Sequence, residues 1–205
     1  LEPFFFDPAV DPSVTNKTPG AGHDILRSSA NNLHVGVSMA DLEGFTERYQ
    51  LNSRLVKRDG KLLEEVYRID GRYGPQIAAI VGHLEAAIPL ATEPMADALR
   101  ALVKVYRTGE TADRRAYDVS WVLDRNSPVD TINYFTEVYL DARSIKGAWE
   151  DIVNGVNAEK NEGIRKLAAD AQWFEDRMPW DSKYRKQGVQ GITANAIDVI
   201  VEMGD

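Results

Sequence analysis

The chain has 205 residues, 43% of them apolar and 27% charged, with no cysteine and a formal charge of −8. That length suits one large domain or two small ones with room for a core. The acidic balance argues against a nucleic-acid surface, which needs clustered positive charge. No apolar run is long enough to cross a bilayer as a helix, and disulfides and thiolate metal sites are ruled out.

The first 36 residues are rich in turn formers, with Pro3, Pro8, Pro12, Pro19, Gly20 and Gly22 around the triplet Phe4-Phe5-Phe6. They read as an extended segment (1–36) that lays its aromatic triplet on another surface. Ser38 suits the N-cap of a short helix carrying Leu42, Phe45 and Tyr49 on one face. A hairpin follows: Arg54 to Arg58, the turn Asp59-Gly60, then Lys61 to Ile69, with Asp-Gly supplying the positive φ a tight turn requires. From Pro75 the period becomes helical. Ile77, Ile80, Val81, Leu84 and Ile88 share one face, then Leu99, Leu102, Val103 and Tyr106 after a Thr92-Glu93-Pro94 start and before Gly109. A third helix near Thr111–Leu123 groups Ala112, Ala116, Val119 and Leu123. The region 37–128 is therefore helical with one hairpin.

Pro128 breaks this pattern, and Ile132 to Leu140 alternates as a strand does. Trp149, Ile152, Val153, Val156, Ile164, Leu167, Ala168, Ala171 and Phe174 then recur at helical spacing. They predict a helix of roughly 28 residues, about 42 Å long. Ala196 to Glu202 is a closing strand, which makes 129–205 a β-core strand, a long helix and a C-terminal strand. The fold class is α+β, predominantly α-helical: a helical lobe with a small β-core.

The residues alone offer no reaction. His23, His34 and His83 lie 11 and 49 positions apart, without the close spacing that puts two imidazoles on one metal, and read as surface or capping residues. Glu64-Glu65 and Glu150-Asp151 read as solvated faces. No serine sits in a nucleophile elbow, and Gly20-Ala21-Gly22 is too short for a phosphate cradle.

Ordered blocks add what composition withholds: Leu51-Asn52-Ser53-Arg54-Leu55, Gln76 to Ala87, Tyr106-Arg107-Thr108-Gly109, and Trp121 with Pro128-Val129-Asp130. Phe135-x-Glu137-x-Tyr139-x-Asp141, Gly147, Val156-Asn157 and Met178-Pro179-Trp180 continue the series. This succession resembles the dipeptidyl peptidase III family of zinc metallopeptidases, from about Asp41 to the end. The resemblance implies a two-lobed metallopeptidase that releases dipeptides from the N-terminus of short peptides. Its zinc is held by a His-Glu-x-x-x-His helix and a later Glu, neither of which occurs in this chain.

The chain opens Leu1-Glu2-Pro3 without a Met and stops after an apolar run. These ends suggest a fragment, with a mature chain left by signal cleavage as the alternative. Within the family resemblance the chain is expected to form substrate-cleft walls, inactive by itself and binding no metal, with no catalytic residue of its own. Its expected partners are a short peptide and the zinc-bearing lobe of the same protein, and not nucleic acid or a membrane. The resemblance gives Asp130 the role of binding the substrate's α-ammonium, against the alternative of a local cap or pair. Ile132 stands where eukaryotic members carry a Tyr, and Tyr134 where a Gly is usual, with the side chain expected to fill part of a groove. The Ile132 departure suggests a divergent bacterial branch. A non-catalytic peptide-binding or scaffold domain is the rival reading. For the compartment, the cytoplasm is favoured, with the bacterial periplasm as the other option.

Overall fold

In the computed structural model, residues 7, 9–11, 14–30, 32–189 and 195–204 are described. The Phe4–Phe6 triplet lies outside them. The chain divides into two compact units. The first comprises Leu1–Asp124, Asn133–Glu150 and Met203–Asp205; the second comprises Arg125–Ile132 and Asp151–Glu202.

The first unit begins with turns that lead into strand β1 (His34–Val35), which runs parallel to β2 (Ser53–Arg58). The helix expected after Ser38 is a single 3-10 turn, Ala40–Leu42. The Asp41 carboxylate accepts the Ser38 hydroxyl and amide and is also paired with Lys57, which closes a local turn in place of a longer helix. The hairpin is present, with β2 antiparallel to β3 (Lys61–Val66) and Asp59 and Gly60 at φ 50° and 76° in its turn. Helix α1 (Gly74–Ala87) buries Ile77 and Val81, and α2 (Glu93–Thr108) buries half its residues, among them Leu99, Leu102, Val105 and Tyr106, before it stops at Gly109.

Helix α3 (Thr111–Leu123) turns a different face inward from the one its sequence suggested. Val119 and Leu123 are 53% and 69% exposed, while Tyr117 is buried and Trp121 packs on the core. The larger aromatic rings remove more apolar area from water than the alanine stripe would, and so decide the rotation.

Three further strands form a second sheet in the order β4 (Val129–Glu137), β5 (Ala148–Val156), β6 (Ile197–Gly204), so that β4 and β6 are its edges. Here the prediction of one long helix fails. Trp149, Ile152, Val153 and Val156 belong to β5, and the helix α4 (Ala158–Ala169) starts only after Asn157, whose side chain accepts the Lys160 amide at 2.9 Å. A second break at Asp170 sets off α5 (Ala171–Glu175). The apolar spacing from Trp149 to Val156 fits a helix as well as a strand. β-Branched and aromatic side chains beside a ready ladder, with Gly155 and an N-cap residue next, tip it to strand. Helices contribute more residues than strands, yet two three-stranded sheets share the framework. The fold class is mixed α+β.

Candidate functional site

Asp130 is the second residue of β4, in the second unit, and is half-buried. Pro128, which lacks an N–H, sets the start of this strand. Its carbonyl accepts the Val156 amide at 2.9 Å, which ties the beginning of β4 to the end of β5. One Asp130 oxygen takes the neighbouring Thr131 amide at 2.7 Å. Beside this strand start, a cavity of about 400 Å³ is lined by Arg125, Ser127, Pro128, Asn161, Arg165 and Asn195. Asn161 is buried and holds the wall together: its amide donates to Asn195 at 2.9 Å and its oxygen accepts the Ala196 amide at 2.7 Å. A half-buried carboxylate at the head of an edge strand can fix a cation.

Ile132 is half-buried, but Tyr134 fills no groove. Its ring is 2% exposed, sits 5.4 Å from Tyr106 and lies under the Arg114 guanidinium at 4.6 Å, within the core of the first unit.

The first unit also holds a charged cluster that the spacing of residues did not reveal. His34 is 3% exposed, not a surface residue, and its Nδ1 lies 3.4 Å from Asp141. Asp141 accepts the amides of Arg143, Ile145 and Lys146. Lys146, with no exposed surface, reaches Glu47 at 2.6 Å and donates to Ser53 Oγ at 3.0 Å, and Arg143 also pairs with Glu47 at 2.6 Å. Burial pushes the His34 pKa down to about 4, against the opposing pull of Asp141. Burial also lowers Lys146. At Glu47 burial pushes upward, but the hydrogen bonds from Lys146 and Arg143 outweigh it and hold the carboxyl below its usual range. A serine beside a lysine resembles a nucleophile pair, but Ser53 and Lys146 are both sealed from solvent and Lys146 is committed to Glu47. The cluster therefore pins the connection between β4 and β5 to β1 and β2.

Glu65, expected on a solvated face, is 20% exposed and gathers Arg54, Arg58 and Arg72. His23 and His83 are exposed, as expected. Among the described residues no three His, Cys, Asp or Glu side chains are grouped to hold a metal ion. The residues present do not fit a zinc site, and no chemical step through zinc follows from them.

The family model described as Peptidase family M49 matches residues 15–202, nearly the whole chain. The chain belongs to this peptidase family. Dipeptidyl peptidase 3 of Dictyostelium discoideum is 26% identical over 177 residues, which cover 86% of this chain and 24% of that protein. The rat protein of the same name is 24% identical over 65% of this chain and 18% of its own length. Among solved structures, DPP III from Caldithrix abyssi matches with a TM-score of 0.70 at 16% identity, over 96% of this chain and 36% of that one. Dipeptidyl-peptidase III from Corallococcus sp. strain EGB gives 0.61 at 19% identity, over 82% and 32%. The M49 fold is thus shared, and the chain spans about a quarter of the Dictyostelium protein.

Proposed function

We propose that this chain is the part of a zinc-dependent exopeptidase that walls the substrate cleft and grips the amino end of a short peptide. The metal ligands belong to another part of the same protein. The reading rests on Asp130: a half-buried carboxylate at the head of edge strand β4, within the region that matches peptidase family M49. An enzyme that counts two residues from a free terminus needs a fixed anion to hold the α-ammonium, and a partly desolvated carboxylate supplies one. Along β4 the Thr131 amide is already given to Asp130 and the carbonyls of Asn133 and Phe135 accept from Tyr106 and Arg114, so the reading rests on the anion and not on strand pairing.

The test uses the full-length protein with peptides whose amino end is free or acetylated. Dipeptide release is expected from the free peptides only. Asp130→Asn should lower kcat/KM for them by about 30-fold, the equivalent of ~2 kcal/mol for a lost charge-assisted hydrogen bond. Equal turnover of acetylated peptides, or full activity in Asp130→Asn, would remove the anchor role. Peptide affinity with zero turnover in the metal-loaded protein would favour a binding module instead.

A further inference from the structure

The first unit contains a second cavity, of about 440 Å³, far from ionic in character, with Tyr67, Tyr73, Gln76, Ile80, Phe135 and Trp149 among its walls. Tyr67 and Phe135 are almost wholly buried and stack on each other at 4.4 Å between centroids, which gives the cavity an aromatic wall. Tyr73 stands at the rim, 46% exposed, with its ring 5.6 Å from Tyr67.

The backbone at Tyr73 is what turns this cavity from a packing gap into a candidate site. Tyr73 has φ 61° and ψ 21°, the left-handed region, which costs a bulky L-residue on the order of 1 kcal/mol. The loop that imposes it is clamped. Arg72 donates to the Val66 carbonyl at 2.8 Å and Ile69 to that of Tyr106 at 3.0 Å. A Cβ on Gly71 would fall 2.1 Å from the Val66 oxygen, so only glycine passes there. The outer face of the Tyr73 ring is braced by the Arg72 guanidinium at 4.6 Å. Strain is thus spent to hold one half-exposed ring at the mouth of an aromatic-lined cavity, where an asparagine or glycine would adopt the left-handed backbone more readily.

We propose that this cavity binds a small aromatic molecule of one or two rings, packed beside Tyr73 and against the Tyr67–Phe135 pair. The volume lies in the range of small-ligand sites, and aromatic walls with few polar groups select an uncharged ring. An extended peptide is the poorer fit, since the Gly147 amide in the wall is already given to the Leu51 carbonyl at 2.7 Å and offers no ladder.

The experiment titrates the protein with 5-fluoroindole by ¹⁹F NMR and follows thermal unfolding of the same variants. Saturable binding is expected in the wild type and in Tyr73→Phe, and at least tenfold weaker binding in Tyr73→Asn, whose melting temperature should hold or rise as strain is released. Absence of saturation in the wild type, or unchanged affinity in Tyr73→Asn, overturns the proposal. A marked drop in the melting temperature of Tyr73→Asn would also overturn it, because the ring would then be a structural prop. Displacement of the probe by an Ala-Phe-Ala peptide at lower concentration than by free indole would replace the small molecule with a peptide side chain.

Discussion

The two units bury different things. Among the described residues every buried apolar side chain, from Leu26 to Phe135, lies in the first unit, whereas the second buries only Ser127, Asn154 and Asn161, all polar. The second unit instead leaves Leu167, Trp173, Trp180, Ile197, Val199 and Ile200 at 40% exposure or more. Apolar burial is the dominant favourable term in folding, so the first unit draws more of its stability from a sealed core, while the second relies more on half-buried side chains and on hydrogen bonds such as those of Asn157 and Asn161.

The sharpest test of the comparison replaces one lysine in each unit. Lys146 in the first is sealed against Glu47, whereas Lys160 in the second meets Asp198 at 3.5 Å with both side chains more than 60% exposed. Lys146→Met leaves a buried carboxylate short of a partner and should cost about 3–5 kcal/mol in chemical denaturation. Lys160→Met should cost less than about 0.5 kcal/mol. Comparable losses would mean that the two units do not differ in the way their burial implies.

Acid should act through the same cluster. His34 is held neutral to about pH 4 in the folded state, while an unfolded histidine takes up its proton near 6.5. Between those values the unfolded chain binds more protons, so stability falls as pH drops through that window, by at most on the order of 3 kcal/mol. Glu47, whose folded pKa is depressed, adds its loss in the same direction at the acid end. Melting temperatures measured from pH 7.5 to 4.5 should therefore fall, and His34→Gln should flatten the upper part of that fall. An unchanged slope in His34→Gln would place the acid sensitivity elsewhere.

What could be read in the residues beforehand follows from how local each feature is. The Asp59-Gly60 turn and the helix from Glu93 to Thr108 are specified by neighbouring residues, through positive φ, capping and a continuous apolar stripe, and both formed as expected. Trp149 to Val156 carries two compatible periods, and only the neighbouring strand decides between them. His34, Glu47, Asp141 and Lys146 are up to 112 positions apart in the chain, so no spacing rule could assemble them, although Asp141 already stood in the block that carried the family resemblance. The strain at Tyr73 had no signature in composition, because it arises from the clamped loop around it.

The smallest expected effect tests the weaker unit from outside. Ile200 is 65% exposed on β6, an edge strand whose every described residue is exposed. A polar residue there removes little buried area, so Ile200→Lys should change stability by roughly 0.5 kcal/mol or less. The same substitution puts a charge on an apolar strand edge, where unpaired backbone groups invite pairing between chains. Light scattering on heating should accordingly decrease while the unfolding midpoint stays in place. If stability instead fell by more than about 1.5 kcal/mol, β6 would be covered in solution, as large losses are diagnostic of buried positions. A midpoint that also moved with protein concentration would identify a second copy as the cover.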